Sequence, residues 1–209
     1  MRMLLFVMWL LFISYAWLLA PGASGSQDPI LQDLLRMKAE EPAVLVMFSL
    51  LGVFPMVYAC LLLRDDRLRI PAWPFVLLSF ALGAFALLPY YFLLSGLASR
   101  SEGNRTPIFL LRITDSRLFV SLLFLITSAL MIYAITGGDG EAYAAAFRHS
   151  SFVHVMTIDF VLLTLLSVYA IYTNNRLSKR GGALLGLIPI LGPLIYLWIT
   201  AGTRQGKIA

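Results

Sequence analysis

Six apolar stretches, each near the ~20 residues that carry a helix across a bilayer, take up most of this chain and leave little for anything else. They cover residues 3–20, 42–63, 71–98, 118–136, 152–172 and 183–201. The runs are continuous, without the polar/apolar alternation of barrel strands, so helices are expected. The expected fold class is all-α: a polytopic membrane protein over 1–209, with about six transmembrane helices and one short interfacial amphipathic helix. Composition agrees. The chain is 60% hydrophobic and 13% charged, against about 45–50% and about 25% for an ordinary globular domain. A soluble domain of this size has too little interior to hide that excess.

The first stretch also reads as a signal peptide, with Arg2 before the apolar run and small residues over 22–26. Its core exceeds the 7–15 apolar residues of a secretory signal, which favours a retained span. Between the first two spans, residues 28–40 carry Asp28 as a helix N-cap and Pro29 at the first helical position. Ile30, Leu31, Leu34 and Leu35 then recur at helical spacing, as in a connector lying in the interface. The third stretch, 71–98, is long enough to tilt or to run past the hydrocarbon.

The net charge of +5 comes from scattered loop positions, without the basic stripe of a nucleic-acid binder. One cysteine, Cys60, excludes an internal disulfide and a multi-cysteine metal site. Basic residues flanking spans concentrate on the cytoplasmic side, and two cues follow. Arg100, Arg105, Arg112 and Arg117, with Arg176, Lys179 and Arg180, place segments 99–117 and 173–182 in the cytoplasm, opposite the loop holding Asp139, Glu141 and Arg148. Arg2, with Asp28, Asp33, Glu40 and Glu41 after the first span, argues for a cytoplasmic N-terminus. Over six full crossings the two cues conflict, and the hairpin of spans four and five is the stronger.

Asp159 is the residue that points most directly to a site. A carboxylate inside span five costs several kcal/mol unless it is partnered or protonated, so it marks a proton relay, an ion or ligand contact, or a structural pin. Its expected partners are the hydroxyls of Ser121, Thr127 or Ser128, or a carbonyl freed near Leu51. His154 lies about 140° around the same helix from Asp159, so a direct relay between them is not expected. His149 and His154 are the candidate ligands for a haem or pigment metal, but one helix cannot supply a facing pair. No catalytic motif and no metal-ligand cluster stands out. Gly52 with Pro55, and Gly186 with Pro189, share a GxxP spacing that predicts a kink beside a close helix approach. Ser79, Gly83 and Ala86 form a small-residue seam on span three.

Four blocks then stand together: LGVFPMVYACLLL (51–63), PAWPFVLLSFALGAFALLPYY (71–91), FVHVMTIDFVLL (152–163) and LIPILGPLIYLWI (187–199). They resemble an uncharacterised family of small multi-pass membrane proteins of cyanobacteria, plastids and some other bacteria. The resemblance implies an integral membrane protein of a bacterial plasma membrane or a thylakoid, and carries over no catalytic residue. The expected function is non-enzymatic: a scaffold, assembly factor or accessory subunit that binds another membrane protein or a lipophilic pigment. The alternative is a small proton-coupled carrier or channel using Asp159.

Overall fold

The computed structural model describes residues 2–21, 28–36, 38, 41–66, 70–94, 106–173 and 182–202. Among these every regular element is helical: α1 (Arg2–Leu18), α2 (Pro29–Leu35), α3 (Pro42–Leu62), α4 (Trp73–Leu82), α5 (Ala84–Leu94), α6 (Ile108–Thr114), α7 (Arg117–Gly137), α8 (Gly140–His149), α9 (Ser151–Thr173) and α10 (Leu191–Gly202), with short 3-10 turns at Leu63–Asp65 and Ala183–Leu187. Three of them, α3, α7 and α9, are long and apolar enough to cross a membrane, while α1, α4, α5 and α10 are shorter apolar helices. By length and composition these helices are consistent with a membrane protein.

α3 is the axis of the bundle. Phe54, Val57, Tyr58 and Cys60 are fully buried on it, and α4, α7 and α9 pack around it. α7 instead shows Leu118, Leu122, Leu125, Ile132 and Ile135 outward, an apolar face of the kind that hydrocarbon covers. α1 is an integral part of the core: Leu5 and Phe12 are buried, Phe12 stacks on Phe85 at 3.9 Å, and the Trp9 indole donates to the Phe85 carbonyl at 3.0 Å.

Side-chain contacts sort the helix termini into two ends. At one end Arg64, leaving α3, donates to the Thr114 carbonyl at 2.9 Å and pairs with Asp115 at 3.1 Å. Asp66 accepts there from the Ala72 amide at 2.6 Å, so Arg64 and Asp66 of the turn after α3 are buried rather than solvated. The start of α1 lies at this end too, with Phe6 against Phe92 at 5.4 Å. The other end is held by acids that each serve two elements. Glu41 accepts from Ala43 N at the start of α3 and from Asp139 N before α8. Asp28 caps α2 through Oδ1, 3.0 Å from Ile30 N, and takes the Ser150 hydroxyl and the Phe152 amide on Oδ2 at 2.7 and 3.1 Å.

Asp28→Ala should therefore uncap two helices at once and cost about 2–4 kcal/mol. Asp28→Asn, which keeps an acceptor for α2 and turns its amide toward the α9 donors, should cost about half as much. Thermal unfolding of the three proteins in one detergent checks the order. Asn and Ala variants that both melt with the wild type would show that α9 is not held this way.

Two expected spans are corrected. The 71–98 stretch is not one helix: it breaks at Gly83 into α4 and α5, and the two arms run antiparallel. Phe75 near the start of α4 meets Tyr90 in α5 at 5.4 Å, so the chain goes in to Gly83 and comes back to the end it left. Each arm is 10 or 11 residues, about 15 Å at 1.5 Å per residue, roughly half a hydrocarbon core. The last stretch, 183–201, is also broken. Pro189 lies between the 3-10 turn and α10 rather than kinking a continuous helix, and Ile190 adopts φ +58°. Neither piece reaches crossing length. The loop between spans four and five, for its part, contains the ten-residue helix α8. Tyr143 on α8 hydrogen-bonds Thr157 at 2.6 Å, and burial raises the pKa of its hydroxyl while that bond opposes the rise.

Candidate functional site

The break in the third stretch is where chemistry gathers. Gly83 closes α4 by donating to the Ser79 carbonyl at 2.9 Å, and it sits at φ +53°, ψ −127°, a combination open essentially to glycine alone. The reversal leaves the first amide of α5 without an intrahelical partner. Asp159 fills that vacancy from α9: its Oδ1 accepts from Ala84 N at 2.7 Å. A β-carbon on Gly83 would lie 2.6 Å from Asp159 Cγ, so the glycine admits the carboxylate as well as the turn. Asp159 is 7% exposed.

Because the helical hairpin reaches only partway through the bundle, the volume beyond its tip is not filled by protein. A cleft of about 370 Å³ remains there, walled by Phe48 and Gly52 of α3, Phe80 at the tip, and Phe152, Met156 and Asp159 of α9. Phe80 and Leu82 are about half exposed, so the mouth opens sideways on the apolar surface. The Asp159 carboxylate is the one acidic group in the wall. Gly52, read from the sequence as a close-packing glycine, faces this space: a β-carbon there would meet nothing within 4 Å.

The remaining candidates fall elsewhere. Ser79 is buried and donates to Val76 O at 2.7 Å; it lines the cleft on α4, whereas Ala86 is buried on α5, so the seam of Ser79, Gly83 and Ala86 belongs to two helices and a turn. Pro55 is buried inside an uninterrupted α3. Gly186 does mark a close approach, since a β-carbon would lie 2.5 Å from Val168 Cα, and Ser167 donates to its carbonyl at 2.8 Å. His154 has both ring nitrogens engaged. Nδ1 donates to the Phe147 carbonyl at 2.9 Å, Nε2 bonds the Tyr15 hydroxyl, and the ring stacks on Phe147 at 4.0 Å. As placed, it ties α1, α8 and α9 together and offers no nitrogen to a metal. His149 is exposed at the end of α8. No three-residue cluster of potential metal ligands occurs among the described residues.

Sequence reasoning missed the Asp159 partner. Neither the span-four hydroxyls nor a carbonyl near Leu51 caps it; the donor is a main-chain amide on the third stretch. The signal available was Gly83 at the centre of an apolar run of 28 residues, about 8 longer than one crossing requires. No family model, curated protein or solved structure matches the chain.

Proposed function

We propose that this is a multi-pass integral membrane protein, of a bacterial plasma membrane or a thylakoid, that works without catalysis as a scaffold, assembly factor or accessory subunit. Its task in this reading is to hold a lipophilic molecule or to dock a neighbouring membrane protein. One observation carries it: the apolar, aromatic-walled cleft that opens sideways beside the hairpin tip, within the 300–1,000 Å³ typical of ligand sites. Extraction in a mild detergent, followed by absorbance and lipid analysis of the purified protein, tests it. A lipophilic molecule retained in stoichiometric amount by the wild type, and lost from Gly52→Leu, is expected. A clean apoprotein without any membrane-protein partner would remove the reading.

The alternative is a proton-coupled carrier, which the same broken helix favours, because transporters aim half-helix N-termini at their sites. The commitment of Asp159 Oδ1 to Ala84 weighs toward a structural cap instead. Acidification of liposomes containing wild type but not Asp159→Asn would support the carrier.

The returning hairpin also supports one orientation. With α4 starting and α5 ending at one end, the start of α1 with Arg2, and Arg64, Arg112 and Arg117, fall at that same end; segments 95–105 and 174–181 lie outside the described residues. The two charge cues of the sequence then agree on a cytoplasmic basic end. A cysteine at exposed Ala145 on α8, in a Cys60→Ala background, should react with an impermeant maleimide in intact cells or right-side-out vesicles. Protection there, with labelling only after lysis, would overturn it.

A further inference from the structure

We infer that the cleft selects a neutral, membrane-dissolved molecule carrying a hydroxyl, and that Asp159 Oδ2 accepts the hydrogen bond from that hydroxyl. This rests on the ligand-binding reading above and narrows it to one chemical class. Asp159 divides its two oxygens between two tasks. Oδ1 is committed to Ala84 N at 2.7 Å, while Oδ2 takes no hydrogen bond among the described residues. Oδ2 rests beside Gly83 at the hairpin tip, and in the ionised form a carboxylate oxygen accepts without donating, so in that form it calls for an O–H or N–H.

Burial and position decide which donor. Asp159 lies eight residues into α9 from Ser151, about 12 Å along the axis at 1.5 Å per residue. A permanently charged ammonium head would have to leave the interface to reach that depth, at a cost of several kcal/mol. A hydroxyl on an apolar body crosses the same distance at far lower cost. The walls fit such a body. Phe48, Phe80, Phe152 and Met156 present rings and a thioether, and Gly52 leaves the opposite wall open. About 370 Å³ equals the liquid volume of roughly a dozen waters, enough for a chain or ring system of about a dozen non-hydrogen atoms, with any longer tail leaving through the lateral mouth.

The test uses the full-length protein in nanodiscs and two photoreactive probes: a long-chain primary alcohol with a mid-chain diazirine, and its methyl ether, which has the same body but no donor. The alcohol should label saturably, on peptides from 48–52, 79–83 and 152–159, at about tenfold lower concentration than the ether. Asp159→Asn keeps an acceptor for Ala84 and turns an NH₂ toward the cleft, so the alcohol and the ether should become equivalent. Gly52→Leu should weaken both probes together. Equal wild-type labelling of the cleft by alcohol and ether would overturn the hydroxyl inference and leave the binding reading standing. Labelling that never saturates, or that maps only to the outer face of α7, would remove both. Thermal unfolding of each variant separates loss of binding from loss of fold, and wild-type mapping by itself decides the matter if a variant does not fold.

Discussion

Gly83→Ala should destabilise the protein by about 2–4 kcal/mol, and Gly83→Leu should prevent recovery of folded protein altogether. The left-handed backbone at φ +53° costs a non-glycine residue about 1–3 kcal/mol. The added carbon also lands against the Asp159 carboxylate, 2.6 Å from Cγ, so the residue that closes the turn would expel the group that caps the next helix. Relieving the overlap by moving α9 would open the core around Phe54 and Leu163, and overpacked sites typically cost about 1–3 kcal/mol. Leu at Ala81, two residues away and exposed, should stay within about 0.5 kcal/mol of wild type. Thermal midpoints in one detergent provide the comparison. Gly83→Ala and Ala81→Leu melting together would mean that the hairpin tip is not built on this glycine.

Asp159→Leu should cost about 1–3 kcal/mol, the usual loss when a buried donor is left without its acceptor. Asp159→Asn should be close to silent for stability, because a side-chain carbonyl still accepts from Ala84 N. The pair therefore separates a cap from a proton carrier. As a cap, Asn behaves as wild type in folding and Leu does not. As a proton carrier, Asn folds but loses transport. Leu without effect on either the melting midpoint or the ratio of alcohol to ether labelling would make Asp159 incidental. Hydrogen exchange at the start of α5 offers a local check, since the Ala84 amide should lose protection in Leu and keep it in Asn.

How much of this could be read in advance differs between elements for a definite reason. Spans two, four and five were expected at 42–63, 118–136 and 152–172 and form α3 at Pro42–Leu62, α7 at Arg117–Gly137 and α9 at Ser151–Thr173. Their limits are written locally: Pro42 after Glu41 starts one helix, Ser116 accepts from Phe119 N to start another, and the glycines after Ile135 stop it. The α2 cap at Asp28 was equally legible, because an N-cap spans only three residues. The second duty of that carboxylate was not, since Ser150 and Phe152 lie more than 120 residues downstream.

The sequence by itself determined the helical character of the described residues, the position of three helices long and apolar enough to cross a membrane, and the presence of a carboxylate that had to find a partner. Those features follow from side-chain transfer energies and from caps within a turn of their helix. Only the tertiary structure decided that residues 71–94 turn back at Gly83, that Asp159 finds its partner in Ala84, and that a cleft remains beyond the tip. Hydropathy is blind to this, because ten apolar residues going in and eleven coming out carry the same transfer energy as one long helix. The reversal depends on one glycine dihedral and on a hydrogen bond between residues 75 positions apart. That bond depends on α3 holding the hairpin and α9 side by side.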